Sequence, residues 1–515
     1  RSLWQDELCL ALSIVHRPFH EIWQHKLLFP DFAQAPLFFQ LISKTFVQVL
    51  GNTDGALRLL PFLAAVGALC LAPRFFRRYL DEKAALLALL FFALSEPLVY
   101  FAAELKPYGV ELLMTFLIYE MFWAADRFRS WRAYILFALG GAMALWCANT
   151  ALFVLFALGM IAFLKAVLAK DRRTCLFLTG SYLVWMLSFG LLYWISLSRM
   201  MNQELMGNWS FAFSQGPFWS LAGLSWVKET WVRAFSHPLG LGYPGMMLAF
   251  FLIGAVGIFR QDRERFFSLA VPLFVTFLLA AVKKYPFHER LILFLVPLFL
   301  AFLSSGIMSL FRVLLKVPGA GRLMGGVFLL VLLWAPVRVA AHGLISRREF
   351  QDNRAVIKYL AQKYQPGDEI FFIPQAQYPL WYYGQRFGLG QELARLGIAG
   401  PNGERGVFLN QLLPKTWEEK GVDGAVFRRV INLYDMEGMF RKFLAPPALS
   451  APRFVAVDDP RILKGARRMW LIVSHCSPEF TAFLRRVFSG AGPEIDSFEA
   501  PGAGVFLYDV SDGGK

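Results

Sequence analysis

Residues 291–311 read LILFLVPLFLAFLSSGIMSLF, and this stretch without a charged side chain decides the fold class. About 20 such residues are enough for a helix to cross the hydrocarbon core of a bilayer. Over the whole chain of 515 residues, 57% are hydrophobic and only 17% are charged, whereas a soluble domain has about 25% charged residues. The sequence therefore predicts a polytopic α-helical membrane protein.

Apolar runs of this kind recur along the first two thirds of the chain and predict about ten spans. The predicted spans are residues 55–73, 84–101, 109–125, 133–148, 150–168, 175–199, 244–260, 267–282, 290–310 and 323–342. A further stretch, residues 35–51, is shorter and contains Lys44 and two Gln. It is therefore interpreted as an amphipathic helix that lies at the membrane interface.

The basic residues indicate which side of the membrane each linker occupies. The linkers after the first, third, fifth, seventh and ninth spans carry 17 Lys and Arg, against 7 in the linkers of the opposite side, and basic linkers stay in the cytoplasm. The opposite face then carries residues 1–54, the loop 199–243 and everything after residue 342. The net charge of +15 comes from these dispersed clusters, so no nucleic-acid partner is expected.

The composition changes near residue 343, where long apolar runs give way to mixed helix and strand patterns. Residues 353–374, NRAVIKYLAQKYQPGDEIFFIP, have the pattern of a helix, a Pro-Gly turn and a strand. We therefore predict a transmembrane catalytic domain over 1–342, with 1–54 as its first external loop, and a soluble extracytoplasmic α/β domain over 343–515. The second domain contains no phosphate-binding glycine motif or nucleophile motif, which argues against catalysis there.

An acidic pair, Asp6 and Glu7, stands at the predicted start of the first helix. One interpretation is structural, because Ser2 and Gln5 fit a capping box and acids favour the positive end of a helix dipole. The other interpretation is chemical, because an external carboxylate can act as a general base. The pattern alone leaves both open.

Two external turns carry cations at helix ends, against the charge bias of that face. The first is AELKPYG, with Glu104, Lys106 and Tyr108, and the second is KKYPFHERL, with Lys283, Lys284, Tyr285 and Arg290. Such cations can extend to lipid headgroups or can bind the phosphate of an anionic lipid. We interpret them as candidate contacts for a lipid phosphate, with the acid and the tyrosines orienting them.

A divalent metal ion is a candidate cofactor, although the sequence requires none. His16 and His20 are spaced four residues apart, and His288 and His237 also lie on the external face. The alternative is that these rings sit at headgroup level, as Trp209, Trp219 and Trp226 of the loop 199–243 also could. The same tryptophans could instead stack on sugar rings.

The order of several motifs resembles that of GT-C glycosyltransferases, especially bacterial relatives of protein O-mannosyltransferases and lipid A aminoarabinose transferases (family 39-like). The resemblance lies in SLWQDE (2–7), in residues 34–65 from QAPLFF to LLPFLAA, in AELKPYG (103–109) and in KYPFHERLILFLVP (284–297). It covers most of residues 1–310. Gln34-Ala35-Pro36 stands where the family commonly has His-Pro-Pro.

The resemblance implies a GT-C fold in which a first helix precedes Arg1 and residues 35–51 belong to a juxtamembrane jaw. It implies an inverting glycosyltransferase of the bacterial inner membrane that uses a polyprenyl-phosphate sugar on the periplasmic face. Asp6 matches the family's first-loop aspartate, and Glu7 matches the second acid of its Asp-Glu pair. The expected partners are this donor, membrane lipids and an acceptor glycan, lipid or protein. A flippase for lipid-linked saccharides and an O-antigen ligase or polymerase-like enzyme remain alternatives.

Overall fold

The structure of the chain is a computed structural model. It describes residues 1–24, 28, 35–125, 130–198, 209–214, 216, 220–317, 320–345, 349–395, 467–490 and 492–511. Of the three tryptophans predicted to mark the loop 199–243, Trp219 lies outside these described residues.

Helices dominate the described residues, as predicted. The α-helices are α1 Gln5–His16, α2 Phe19–Trp23, α3 Leu37–Leu50, α4 Asp54–Tyr79, α5 Glu82–Leu94, α6 Glu96–Ala102, α7 Tyr108–Ala125, α8 Trp131–Cys147, α9 Ala151–Leu168, α10 Arg172–Leu192, α11 Leu221–Ser236, α12 Pro244–Gln261, α13 Arg263–Ala281, α14 Val296–Leu314, α15 Gly321–Ile345, α16 Asn353–Lys363, α17 Gln377–Arg386, α18 Gly390–Arg395 and α19 Pro478–Phe488. The strands are β1 Glu369–Phe372, β2 Arg468–Ser474, β3 Glu494–Ala500 and β4 Ala503–Asp509.

Seven helices among the described residues are long and apolar enough to cross a membrane, and an eighth span results if α5 and α6 form one. Those two helices meet at a bend of 52°. Each of the ten predicted spans coincides with helical residues, but α7 and α8 are not among the seven, and α8 has only 17 residues. The structure thus confirms a mostly helical chain with several apolar spans, and the number ten stays a prediction.

By its internal contacts the chain divides into two compact units. One unit, here called the membrane unit, comprises Pro18–Ser346, and the other, here called the α/β unit, comprises Arg1–Arg17 together with Arg347–Lys515. The first 17 residues therefore pack with the C-terminal part of the chain, although the sequence suggested a single external loop over 1–54.

The core of the membrane unit is built around α14. Its apolar residues are almost all buried, and it packs closely against α12. A Cβ atom on Gly254 of α12 would lie 1.8 Å from the carbonyl oxygen of Phe302, and one on Gly306 of α14 would lie 1.8 Å from that of Phe250. Only glycine allows the two backbones to approach so closely, as is common where membrane helices cross.

The α/β unit contains a four-stranded sheet in the order β1-β2-β4-β3. Strands β1 and β2 are parallel, with Ile370 opposite Trp470, and the other neighbours are antiparallel. The buried faces of β2 and β4 form its core. A small sheet-containing domain near the C-terminus is therefore confirmed.

Candidate active site

The start of α1 differs from the capping box predicted at Ser2 and Gln5. The N-cap residue is Trp4, whose backbone N–H donates to Oε2 of Glu7 at 3.3 Å. Ser2 Oγ accepts instead from the backbone N–H of Arg354 at 3.1 Å. The predicted box is therefore wrong, because the serine hydroxyl is used by a distant part of the chain and the helix begins two residues later.

The two acids of α1 occupy different environments. Glu7 is completely buried and its carboxylate caps the helix, whereas Asp6 is partly exposed. Both lie in the first turn, where the positive end of the helix dipole favours a negative charge. Of the pair, Asp6 is thus the carboxylate that is accessible from outside the protein, and Glu7 holds the turn that carries it.

The first cationic turn of the membrane unit lies between α6 and α7. Glu104 is fully buried and Lys106 is 6% exposed, and the backbone N–H of Lys106 donates to the carbonyl oxygen of Glu104 at 2.8 Å. A lysine that extended to lipid headgroups would be exposed at the surface. The burial of Lys106 therefore favours an internal electrostatic role over the headgroup alternative for this residue.

The second cationic turn lies between α13 and a 3-10 helix at Glu289–Leu295. Lys283 and Lys284 are exposed, whereas the ring of Tyr285 packs at 4.9 Å from that of Phe153. The Tyr285 hydroxyl donates to the carbonyl oxygen of Leu291 at 2.8 Å, which fixes the course of the turn. Two exposed lysine side chains just after a helix end can present their ammonium groups to an anion.

The structure brings the two turns together. Burial raises the pKa of the Tyr285 phenol well above its ordinary value, and the nearby Glu111 and Tyr108 raise it further. Since Glu111 and Tyr108 belong to the first turn of α7, directly after Lys106, the two predicted stretches lie side by side at one end of the membrane unit. Glu111 also brings a buried carboxylate to this place.

A small cavity of about 50 Å³ lies beside the second turn and has a charged lining. Its polar lining residues are Glu229, Thr230, Arg233, His237, His288 and Glu289. His288 Nε2 lies 3.3 Å from Glu289 Oε1, and the guanidinium of Arg290 lies 5.8 Å from the centre of the Trp209 ring. Trp226, in contrast, is buried and stacks on Phe277 at 5.1 Å, so it packs within the protein.

Two residues of this cavity, Glu229 and Arg233, were missed by the sequence analysis. A usable signal was present, because Glu229, Arg233 and His237 are four residues apart and therefore share one face of a helix. The apolar and aromatic residues around them, which suggested an interfacial loop, obscured the pattern.

The candidate metal ligands do not form a common cluster. The His16 ring stacks on Trp381 at 4.8 Å, His20 is exposed, and His288 contacts Glu289. Over the part of the chain that the structure describes, no group of three or more His, Cys, Asp or Glu side chains is arranged to hold a metal ion. The structure therefore gives the metal hypothesis no support.

No protein-family model matches the chain, and no curated protein matches it. Several solved structures, in contrast, are similar to the chain. ArnT from Cupriavidus metallidurans in the apo state is 10% identical with a TM-score of 0.49, over 98% of this chain and 96% of that one. The same protein bound to undecaprenyl phosphate gives 12% identity and a TM-score of 0.37 over the same shares of the two chains.

A third similar structure is the Archaeoglobus fulgidus oligosaccharyltransferase tethered with an acceptor peptide. It is 11% identical with a TM-score of 0.46, over 73% of this chain and 58% of that one. ArnT and this oligosaccharyltransferase are both GT-C proteins, the group that the sequence resembles.

Proposed function

We propose that this chain is an inverting GT-C glycosyltransferase that moves a sugar from a polyprenyl phosphate to an acceptor hydroxyl. The observation that carries the proposal is the meeting of the two cationic turns at one end of the membrane unit. Lys106, Lys283, Lys284 and Arg290 lie in or beside these turns, and an anionic lipid phosphate at a membrane surface is the ligand that such a cluster suits.

In the proposed reaction, Asp6 takes the proton of the acceptor hydroxyl as its oxygen attacks the anomeric carbon. The bond between that carbon and the phosphate oxygen breaks on the opposite side, so the anomeric configuration is inverted. The bonding electrons leave with the polyprenyl phosphate, whose charge the lysines and Arg290 stabilise. The phosphate is a stable anion and needs no proton to depart.

The active face is proposed to be periplasmic, in a bacterial inner membrane. Support comes from the charge difference between the two sets of linkers, because basic linkers favour the cytoplasmic side. A membrane-impermeant maleimide applied to intact spheroplasts checks this placement: a cysteine introduced at the exposed His20 should react, and one at the exposed Arg173 should not. The reverse pattern would contradict the placement.

The role of Asp6 is tested by Asp6→Asn in membranes of the native host, with mass spectrometry of the glycans on lipid, protein and polysaccharide. We expect the modified glycan to fall at least about 100-fold, because general-base catalysis contributes about 10²- to 10⁴-fold. Asp352→Asn is the matched control, since Asp352 caps α16 in the same unit and asparagine caps a helix equally well. Full retention of the glycan in Asp6→Asn would contradict the mechanism.

The role of the exposed lysines is tested with undecaprenyl phosphate as the probe. The double substitution Lys283→Gln and Lys284→Gln should weaken its binding about 30-fold, because each of the two lysines contributes roughly 1 kcal/mol at an anionic site. Lys170→Gln is the control: Lys170 is also exposed and has φ 58°, as Lys283 does, but it lies in a linker assigned to the other face. If the double variant, the Lys170→Gln variant and the unsubstituted protein bound the probe equally well, Lys283 and Lys284 would not belong to the site.

A further inference from the structure

The start of α1 is bonded to residues some 350 to 380 positions later in the chain, through Ser2 and Leu3, which precede the helix, and through Gln5, its first residue. The backbone N–H of Leu3 donates to the hydroxyl of Tyr383 at 2.8 Å, and the carbonyl oxygen of Leu3 accepts from Nδ2 of Asn353 at 3.2 Å. All three residues are buried. Both backbone polar groups of Leu3 are thus bonded within the α/β unit.

A second set of bonds continues this anchor along the segment. Gln351 Oε1 accepts from the backbone N–H of Gln5 at 3.1 Å and from Asn353 Nδ2 at 3.2 Å. Oδ1 of Asn353 accepts from the hydroxyl of Ser474, the last residue of β2, at 2.6 Å. The anchor is therefore attached to the sheet itself, so that the start of α1 takes its position from β2.

The far end of α1 is fixed by packing. The His16 ring stacks on Trp381 of α17, and Tyr383 belongs to the same helix. With both ends of α1 held by the C-terminal part of the α/β unit, a shift of Asp6 would break buried hydrogen bonds. Orphaned buried donors and acceptors are strongly disfavoured.

We propose that Tyr383 and Asn353 are positioning residues: they fix the start of α1 and thereby set where the carboxylate of Asp6 stands. This inference rests on the proposed role of Asp6 as the base. A general base must lie within hydrogen-bond reach of the proton that it removes, and a displacement of about 1 Å can cost a reaction 100-fold. Tyr383 and Asn353 thus contribute to the reaction through Asp6 and do not themselves touch the substrate.

The anchor is tested first by a measurement that does not depend on activity. In the full chain, Tyr383→Phe removes the acceptor of the Leu3 N–H and leaves the ring in place. We expect hydrogen exchange at the Leu3 amide to become at least tenfold faster. Tyr359→Phe is the matched control, because its hydroxyl donates to Asp496 at 2.7 Å elsewhere in the same unit. Equal protection of Leu3 in both variants would overturn the anchor.

The consequence for the reaction is tested by the initial rate of glycan formation in native-host membranes. Tyr383→Phe should lower this rate about five- to twentyfold and leave the binding of undecaprenyl phosphate within twofold of the unsubstituted protein. Tyr359→Phe should lower neither by more than twofold. An equal loss in both variants would mean that unit stability, and not the position of Asp6, is at issue.

A double substitution shows whether Tyr383 acts through Asp6. In the Asp6→Asn background, Tyr383→Phe should cause no further loss of the residual rate, since the group that it positions is gone. A further loss equal to that in the unsubstituted protein would overturn the inference. Failure of the proposed function is distinct: Asp6→Asn would then keep full activity, while the exchange of the Leu3 amide would still report on the anchor.

Discussion

Helices α14 and α15 are similar in sequence character but occupy opposite environments. Both are apolar and long enough to cross a membrane, yet 89% of the apolar window in the helical stretch Glu289–Leu314 is buried inside the protein, against 17% for α15. The first is the centre of the membrane unit, whereas the second presents leucine, valine and tryptophan side chains at the surface. Hydropathy therefore identifies a candidate span, but it does not tell which spans are buried inside the protein and which lie at its surface.

The difference follows from the residues that allow close approach. Gly306 of α14 meets the backbone of α12 directly, whereas nothing lies within 4 Å of a Cβ built on Gly326 of α15. Because lipid tails are as apolar as leucine, burial inside a membrane protein is driven by close packing more than by hydrophobicity. A glycine matters there only when another backbone lies against it.

The largest expected effect comes from deleting a buried ring of α14. Phe299 is fully buried among the rings of Trp231, Phe235 and Phe251, at 5.6 to 5.7 Å between centroids. Phe299→Ala should lower the free energy of unfolding by about 3–5 kcal/mol, because it leaves a cavity.

The matched change on α15 is Trp334→Ala, since Trp334 is 68% exposed. It should change the free energy of unfolding by less than about 0.5 kcal/mol. Denaturant titration of both proteins in the same detergent measures the contrast. Similar losses for the two variants would break the comparison between the helices.

An intermediate effect is expected from one added methyl group. Gly306→Ala should destabilise the membrane unit by about 1–3 kcal/mol, since the methyl group would overlap the backbone of Phe250 and force α12 and α14 apart. Gly326→Ala should be neutral or stabilise by up to about 1 kcal/mol, as alanine favours a helix more than glycine does. Thermal unfolding of both variants measures the difference. A Gly306→Ala protein as stable as the unsubstituted one would show that the close approach of α12 and α14 is not needed for stability.

The smallest effect is expected at the polar end of α14. Arg312 Nη2 lies 3.6 Å from Asp81 Oδ2, and both side chains are about half exposed. Asp81→Asn keeps the N-cap of α5 and removes only the ion pair, so a loss below about 0.5 kcal/mol is expected. A loss above about 1 kcal/mol in the same titration would mean that charge, and not apolar packing, holds α14 in place.

The candidate site shows a similar division between what could and could not be predicted. The stretches around Lys106 and Tyr285 stand out in the sequence because their cations oppose the charge bias predicted for that face, and these stretches do come together in the structure. Glu229 and Arg233 were missed. Their spacing of four places them on one face of a helix, but it does not show that the second cationic turn packs against that face. The capping box at Ser2 was wrong, because Arg354 bonds the serine hydroxyl instead.

By itself, the sequence determined the membrane class, the positions of the apolar helices and the small sheet-containing domain, because hydropathy and periodicity are local properties of the chain. Only the tertiary structure decided that α14 is internal and α15 peripheral, and that Leu3 is bonded to Tyr383 and Asn353. Contacts between residues some 350 to 380 positions apart depend on how whole elements pack, and no local pattern records them. The place of Asp6 in the proposed reaction depends on such contacts.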